Sequence, residues 1–229
     1  MGKNGQSDGG MVKFFEEAIT PGCVRGIKGL GEHPFIQDFY LAGGTALALQ
    51  IGHRVSTDLD WFSTTCQLSE YERGHIRQIL QTIGEMEVAS EQDGLLFTRF
   101  LGTDVSFIYQ HHPLLYPTVV YQGIQLASPV EIGIMKLAAI NSRGTRRDFI
   151  DVYCLRDLVS LEQLFALAER KYQDRPSFLA VAARALAYFE DAEQQPMPKM
   201  FFPVKWKDVR EYCQQAARQL ARRLSGLGQ

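Results

Sequence analysis

The sequence predicts an α+β fold, a small mixed sheet flanked by helices and followed by a C-terminal helical bundle. Runs with strand-like alternation are concentrated between Phe39 and Ala127. Ser128-Pro129-Val130-Glu131 then combines an N-cap, a proline at the first helical position and a capping glutamate, and no strand signal follows it. A composition of 45% hydrophobic and 22% charged residues over 229 positions is that of a globular chain able to bury a core. Three segments result: a polar, Gly-rich lead-in over 1–10, expected to be disordered and unlike a signal peptide, an α+β core over 11–127, and a helical region over 128–229.

Within the core, a short helix is expected over 11–19, ended by a Pro21-Gly22 break. Residues 39–42 read as a buried strand, Gly43-Gly44 as a turn, 45–50 as a short helix and 57–62 as a second strand. Ser69-x-x-Glu72 is a capping box opening a helix to about residue 83. Strands over 86–91, 95–101 and 105–110 form a meander through the turn pairs Asp93-Gly94 and Gly102-Thr103. His111-His112-Pro113 ends it as a polar loop, and 123–127 offers one more strand. Helices are expected over 130–140, 146–158, 161–172, 177–193 and 206–224, with no internal repeat.

Several function classes are disfavoured at once. A net charge of -2 and a pI near 6.2 give no global attraction to nucleic acid, although local basic patches remain open. Cys23, Cys66, Cys154 and Cys213 lack C-x-x-C or Cys/His ligand spacing, so reduced thiols and a cytoplasmic location are expected. No segment is long and apolar enough to cross a membrane.

The chemistry-bearing residues form two constellations. In the first, the turn Gly43-Gly44-Thr45 lets backbone N–H groups at a helix start, with a hydroxyl beside them, approach a triphosphate. On the following strand, Asp58 and Asp60 share a face while Leu59 and Trp61 take the other, so the acids can hold magnesium against nucleotide phosphates. Taken singly, a Gly-Gly-Thr turn is usually just a turn and an Asp-x-Asp pair a solvated edge; the apolar setting of the strand argues for a site. In the second, the helix Val130 to Ile140 carries Lys136 as its only charge after the first turn. A lysine there costs stability and needs an anion, unless it snorkels outward. The series continues as Arg143, Arg147, Asp148 and Asp151, with Thr145-x-x-Asp148 as a cap and Arg147 with Asp151 as an i,i+4 pair.

These residues resemble the AbiEii/AbiGii-type toxins of the DNA polymerase β-like nucleotidyltransferase superfamily, over about 41–158. Gly43-Gly44-Thr45 and Asp58-x-Asp60, with the lead-in Arg54-x-Ser56-x-Asp58, are similar to that family's first motif; Lys136 through Arg143, Arg147, Asp148 and Asp151 are similar to its second. The resemblance implies a nucleotidyltransferase fold whose helical region completes the active site. It also implies magnesium on Asp58 and Asp60, nucleotide contacts from Gly43, Gly44, Thr45, Lys136, Arg143 and Arg147, and catalytic roles for Asp58, Asp60, Lys136 and Asp148. A third carboxylate is usual on a neighbouring strand. Here Ser106 stands at that place, and Asp104, two residues earlier, is the candidate third metal ligand, with Asp148 as its competitor.

The activity so implied is transfer of a nucleoside monophosphate from a nucleoside triphosphate to a hydroxyl, by a toxin paired with an antitoxin protein and acting on the 3′ end of a tRNA or another RNA. Lys207, Arg210, Arg218 and Arg222 on one face of the last helix are consistent with RNA. Two other readings stand beside it: a small-molecule, aminoglycoside-like nucleotidyltransferase, favoured by an acidic pocket, and a degenerate fold that binds nucleotide or a partner without catalysis, motivated by Ser106.

Overall fold

The computed structural model describes residues 13–226. The lead-in 1–10 lies outside them, as do Met11 and Val12 of the first expected helix. What is described of that helix is only a 3-10 turn, Glu16–Ala18.

The first full helix, α1 (Pro21–Gly31), occupies the stretch where the sequence suggested a break; Thr20 caps it and Pro21 stands at its first position. Gly22, Gly26, Gly29 and Gly31 lower its intrinsic propensity. Their use is in packing, for a Cβ at Gly26 would lie 2.7 Å from Leu59 Cδ1. Tertiary contact with the sheet therefore overrides local preference.

The strands are β1 (Tyr40–Ala42), β2 (Asp58–Ser63), β3 (Met86–Gln92), β4 (Leu95–Phe100), β5 (Thr103–Tyr109), β6 (Val119–Tyr121) and β7 (Ile124–Leu126). They form one seven-stranded mixed sheet in the order β3-β4-β5-β2-β1-β7-β6. β2 runs antiparallel to β1 and parallel to β5, and β1 runs parallel to β7. Two details differ from expectation. The turn between β4 and β5 is Leu101-Gly102, both at positive φ, so Thr103 and Asp104 already belong to β5. β6 was not anticipated; it pairs with β7 through Gln122-Gly123, again both at positive φ.

Helices α2 (Gly43–Ile51) and α3 (Glu70–Ile83, with the Ser69/Glu72 capping box) lie between strands. From α4 (Pro129–Ser142) onward the chain is helical: α5 (Arg146–Cys154, followed by a 3-10 turn), α6 (Leu161–Lys171), α7 (Phe178–Ala185), α8 (Glu190–Glu193) and α9 (Trp206–Leu224). The expected helix over 177–193 is thus two helices. α4 packs on α2, α5, α6 and α7, its apolar surround explained by burial on several sides. Val209, Cys213, Ala216 and Leu220 bury the apolar stripe of α9. No helix among the described residues is long and apolar enough to cross a membrane.

Candidate active site

β2 alternates as the sequence requires: Leu59, Trp61 and Ser63 are buried, while Asp58, Asp60 and Phe62 are partly exposed on the other face. Across the parallel ladder, Asp104 stands beside Asp58 and Ser106 beside Asp60. The position where a third acid was sought therefore holds Ser106, the ladder partner of Asp60. Asp104 shares the face, but its carboxylate is 63% exposed and is bound by Arg99 at 2.7 Å.

The Gly43-Gly44 turn serves the protein's own side chains first. Gly43 has φ 63°, and a Cβ there would lie 2.5 Å from Asp60 Oδ2; a Cβ at Gly44 would collide with the Arg54 guanidinium. Thr45 is buried, and its hydroxyl donates to the Asp58 carbonyl oxygen, tying α2 to β2. That hydroxyl is committed, which corrects the expectation that it meets a phosphate.

The anion demanded by Lys136 comes from inside the molecule. Its ammonium lies 2.8 Å from Asp148 Oδ1 and 2.7 Å from Asp151 Oδ2. Asp151, fully buried, also accepts from Arg54 Nε at 2.6 Å and Nη2 at 2.9 Å and bonds His53 Nε2 at 2.8 Å. Asp148 further accepts from the Thr145 hydroxyl and backbone N–H in a capping box, with Arg143 Nε 3.4 Å away. The second motif is thus a closed network joining α4, α5 and the segment before β2. Asp148 is too fully engaged to replace the missing acid. Arg147, expected to pair with Asp151, instead reaches Asp58 at 3.3 Å.

Ionisation follows this arrangement. Burial alone would lower Lys136, but Asp148 and Asp151 outweigh it and raise its pKa. Burial would raise Asp151 and Asp148; Arg54 and Lys136 hold Asp151 well below the usual range, and Lys136 with Arg143 lowers Asp148. His53 is pushed down by burial despite its bond to Asp151, so it is a neutral member. Asp60 differs: burial raises its pKa, and Lys136 and Ser106 do not compensate. The neighbouring Asp58 charge adds to the upward push, and Lys136 and Arg143 only partly offset it.

Asp58 and Asp60 open into a cavity of about 580 Å³ between the sheet and α4, within the range of small-molecule sites. Its walls include Gly43, Gly44, Arg143 and Arg147 near the acids, and Phe62, Phe97, Ile108, Ile132 and Met135 as an apolar side. Tyr172 and Arg175, from the end of α6 and the loop after it, also line it, as does Arg54. Sequence reading noted Arg54 only as a lead-in to Asp58 and missed His53, Tyr172 and Arg175. A histidine-arginine pair just before an acidic strand was the available signal for the first two; nothing local marked the others. On α9, Arg210 is paired with Glu193 and Lys207 with Glu211, leaving Arg218 and Arg222 as exposed cations of the expected basic face.

Residues 27–222 match the family described as nucleotidyl transferase AbiEii toxin, type IV TA system. An uncharacterized protein of Aquifex aeolicus (strain VF5), aq_aa25, is 30% identical over 179 residues, covering 76% of this chain and 84% of its own length. Among solved structures, MenT4, a nucleotidyltransferase toxin of Mycobacterium tuberculosis H37Rv, superposes with a TM-score of 0.52 at 16% identity, covering 81% of this chain and 76% of that one. ANT(2")-Ia in complex with adenylyl-2"-tobramycin gives a TM-score of 0.51 at 12% identity, covering 68% and 99%. At these identities the likeness is one of fold.

Proposed function

The chain belongs to the AbiEii family of nucleotidyltransferase toxins, and from that premise we propose that it transfers a nucleoside monophosphate from a nucleoside triphosphate to a hydroxyl of RNA, with magnesium held by Asp58 and Asp60. The observation that carries the reading is the acid pair on one face of β2, opening into the cavity beside the Gly43-Gly44 turn with Arg143 and Arg147 at its edge.

The residues fit a hard divalent cation. The donors are carboxylate oxygens with the Ser106 hydroxyl adjacent, and the push that burial and the Asp58 charge exert on the Asp60 carboxyl is one that a bound cation relieves. Bound there, magnesium supplies charge neutralisation at the reacting phosphate. Asp58 and Asp60 hold and orient it. Asp104 joins them only by exchanging Arg99 for the cation.

Arg143 and Arg147 are 64% and 47% exposed and face incoming phosphates, so Arg147 exchanges Asp58 for substrate. Backbone N–H groups at the start of α2 add a cradle, and the missing Cβ atoms of Gly43 and Gly44 leave room for Asp60 and Arg54 beside it. The apolar side gives the base a surface from which water is excluded. Lys136 and Asp148 act from behind, fixing α4 to α5 and thereby the two arginines. Transfer of this type needs in-line positioning and electrostatic stabilisation rather than a protein nucleophile.

Charge supports one class of acceptor. Arg54, Lys136, Arg143, Arg147 and Arg175 line the cavity against Asp58, Asp60, Asp104 and Asp148. Arg54 and Lys136 are matched by Asp151 and Asp148, so the exposed Arg143, Arg147 and Arg175 are what supports a polyanionic acceptor over the polycationic aminoglycosides. The 3′ end of a tRNA is the acceptor we favour, with a cognate antitoxin protein as partner. Incubation with each labelled triphosphate, magnesium and total RNA, resolved on a gel, tests this: label should enter a discrete RNA band. Label in no RNA, with turnover on an aminoglycoside, would establish the small-molecule reading instead; binding of triphosphate without turnover would establish the degenerate one.

A further inference from the structure

We propose that His111, His112 and Asp174 form a binding site for a zinc-class transition-metal ion at the rim of the cavity, separate from the acid pair of β2. The adjacent histidines read as a polar loop in the sequence because the third group comes from 62 residues further along, in the turn after α6. In the fold, Asp174 Oδ1 lies 2.8 Å from His112 Nε2, and Oδ2 lies 3.5 Å from His111 Nε2. One ligand atom from each residue falls within 4.8 Å of the others. Tetrahedral zinc at about 2.0–2.1 Å from its ligands spaces them about 3.4 Å apart, so small side-chain adjustments suffice. Two imidazole nitrogens and a carboxylate, with a fourth position open to water, is a donor set that zinc accepts and magnesium does not favour.

The hydrogen bonds around His112 orient its ring toward Asp174. Gln110 Oε1 accepts from the His112 backbone N–H at 3.4 Å and lies 3.0 Å from His112 Nδ1. An atom that accepts from a backbone N–H is the amide oxygen, so Nδ1 carries the hydrogen that faces it. With Nδ1 turned to Gln110, Nε2 is the ring nitrogen that faces the Asp174 carboxylate, at 2.8 Å. A metal ion shared by that nitrogen and the carboxylate fits the placement of the two groups. The His111 and His112 rings lie 3.8 Å apart between centroids, close enough for both to reach one ion. Gln110 plays the part of the outer partner that fixes the tautomer of a metal-binding histidine. Lys171, the nearest lysine in sequence, is committed to Glu131 and the Pro113 carbonyl, and among the described residues no cation other than the two histidines is paired with Asp174.

Such an ion clips the loop after β5 to the turn after α6. Tyr172, whose ring meets His112 edge-on at 4.8 Å, and Arg175 lie beside that turn and line the cavity, so metal binding rigidifies that wall.

The test uses the whole protein, stripped with a chelator and returned to excess magnesium so that the β2 acids are occupied. Titration with cobalt(II) is followed by visible absorption, and with zinc by thermal melting. One equivalent of cobalt with the strong bands of a four-coordinate nitrogen-oxygen site is expected, with a rise in melting temperature of about 5 °C on adding zinc. Both should vanish in His111→Ala and Asp174→Asn, whose side chains are 53% and 52% exposed, so that folding is not at stake. Wild type and His111→Ala taking up the same cobalt with the same spectrum would overturn the proposal, as would wild type binding none.

Discussion

Two pairs of aspartates stand a few ångströms of backbone apart along their elements, and the molecule treats them oppositely. Asp148 and Asp151 on α5 are buried and saturated: Lys136 bridges them, Arg54 forks onto Asp151, and Thr145 and Arg143 complete Asp148. Asp58 and Asp60 on β2 are partly exposed; within the protein Asp58 meets Arg147 and the Thr57 hydroxyl, and Asp60 stands beside Ser106. The first pair is matched in charge without any ligand; the second is not. Residues of a single family pattern thus divide into a scaffold that sets the geometry and a face left unsatisfied so that something else can bind.

Substituting the open pair should abolish chemistry and spare stability. Asp58→Asn and Asp60→Asn should each reduce transfer about a thousand-fold, with the melting temperature unchanged or, for Asp60, raised, since burial disfavours its charge. Labelled transfer assays beside thermal melts check this, and wild-type turnover in either variant would erase the contrast. The closed pair should behave in reverse. Asp151→Asn leaves Arg54 and Lys136 buried without their common partner and should cost about 3–5 kcal/mol in urea unfolding.

Lys136→Met sharpens the comparison further. A lone lysine on an apolar helix suggests that its removal stabilises the fold; because its partners are internal, removal strands Asp148 and should instead cost about 3 kcal/mol. A denaturation midpoint above wild type would return the lysine to the role of a costly ligand-binding charge. The smallest effect is expected at Asp104. Its exposed pair with Arg99 is worth less than about 1 kcal/mol, and Asp104→Asn should lower transfer less than ten-fold by assay. Near-total loss would enrol Asp104 beside Asp58 and Asp60.

How far the sequence carried these conclusions depended on whether the cause was local. Alternation placed Asp58 and Asp60 on one face, and the capping boxes at Ser69 and Thr145 fixed helix starts, because each is decided within a few residues. α1 was missed because its glycines serve contacts with Leu59 and Thr103 that no window of sequence contains. The partner of Lys136 was misjudged for a related reason: Asp148 and Asp151 were visible as residues, yet only the crossing of α5 over α4 turns them inward. Tyr172 and Asp174 reach the cavity rim by tertiary fold alone.

The order of strands in the sheet also sets a timetable for synthesis. β2 emerges from the ribosome early, but its neighbour β5 follows more than forty residues later, and β1 waits for β7. The counter-charge for Arg54 arrives only with Asp151, and the backbone on either side of that arginine is pinned last of all, Val55 N–H donating to the Lys199 carbonyl and Phe201 N–H to that of His53. A nascent or truncated chain therefore carries the acids without a frame to hold them. The frame around Arg54 and the acids of β2 is complete only after the segment through Phe201 has been made.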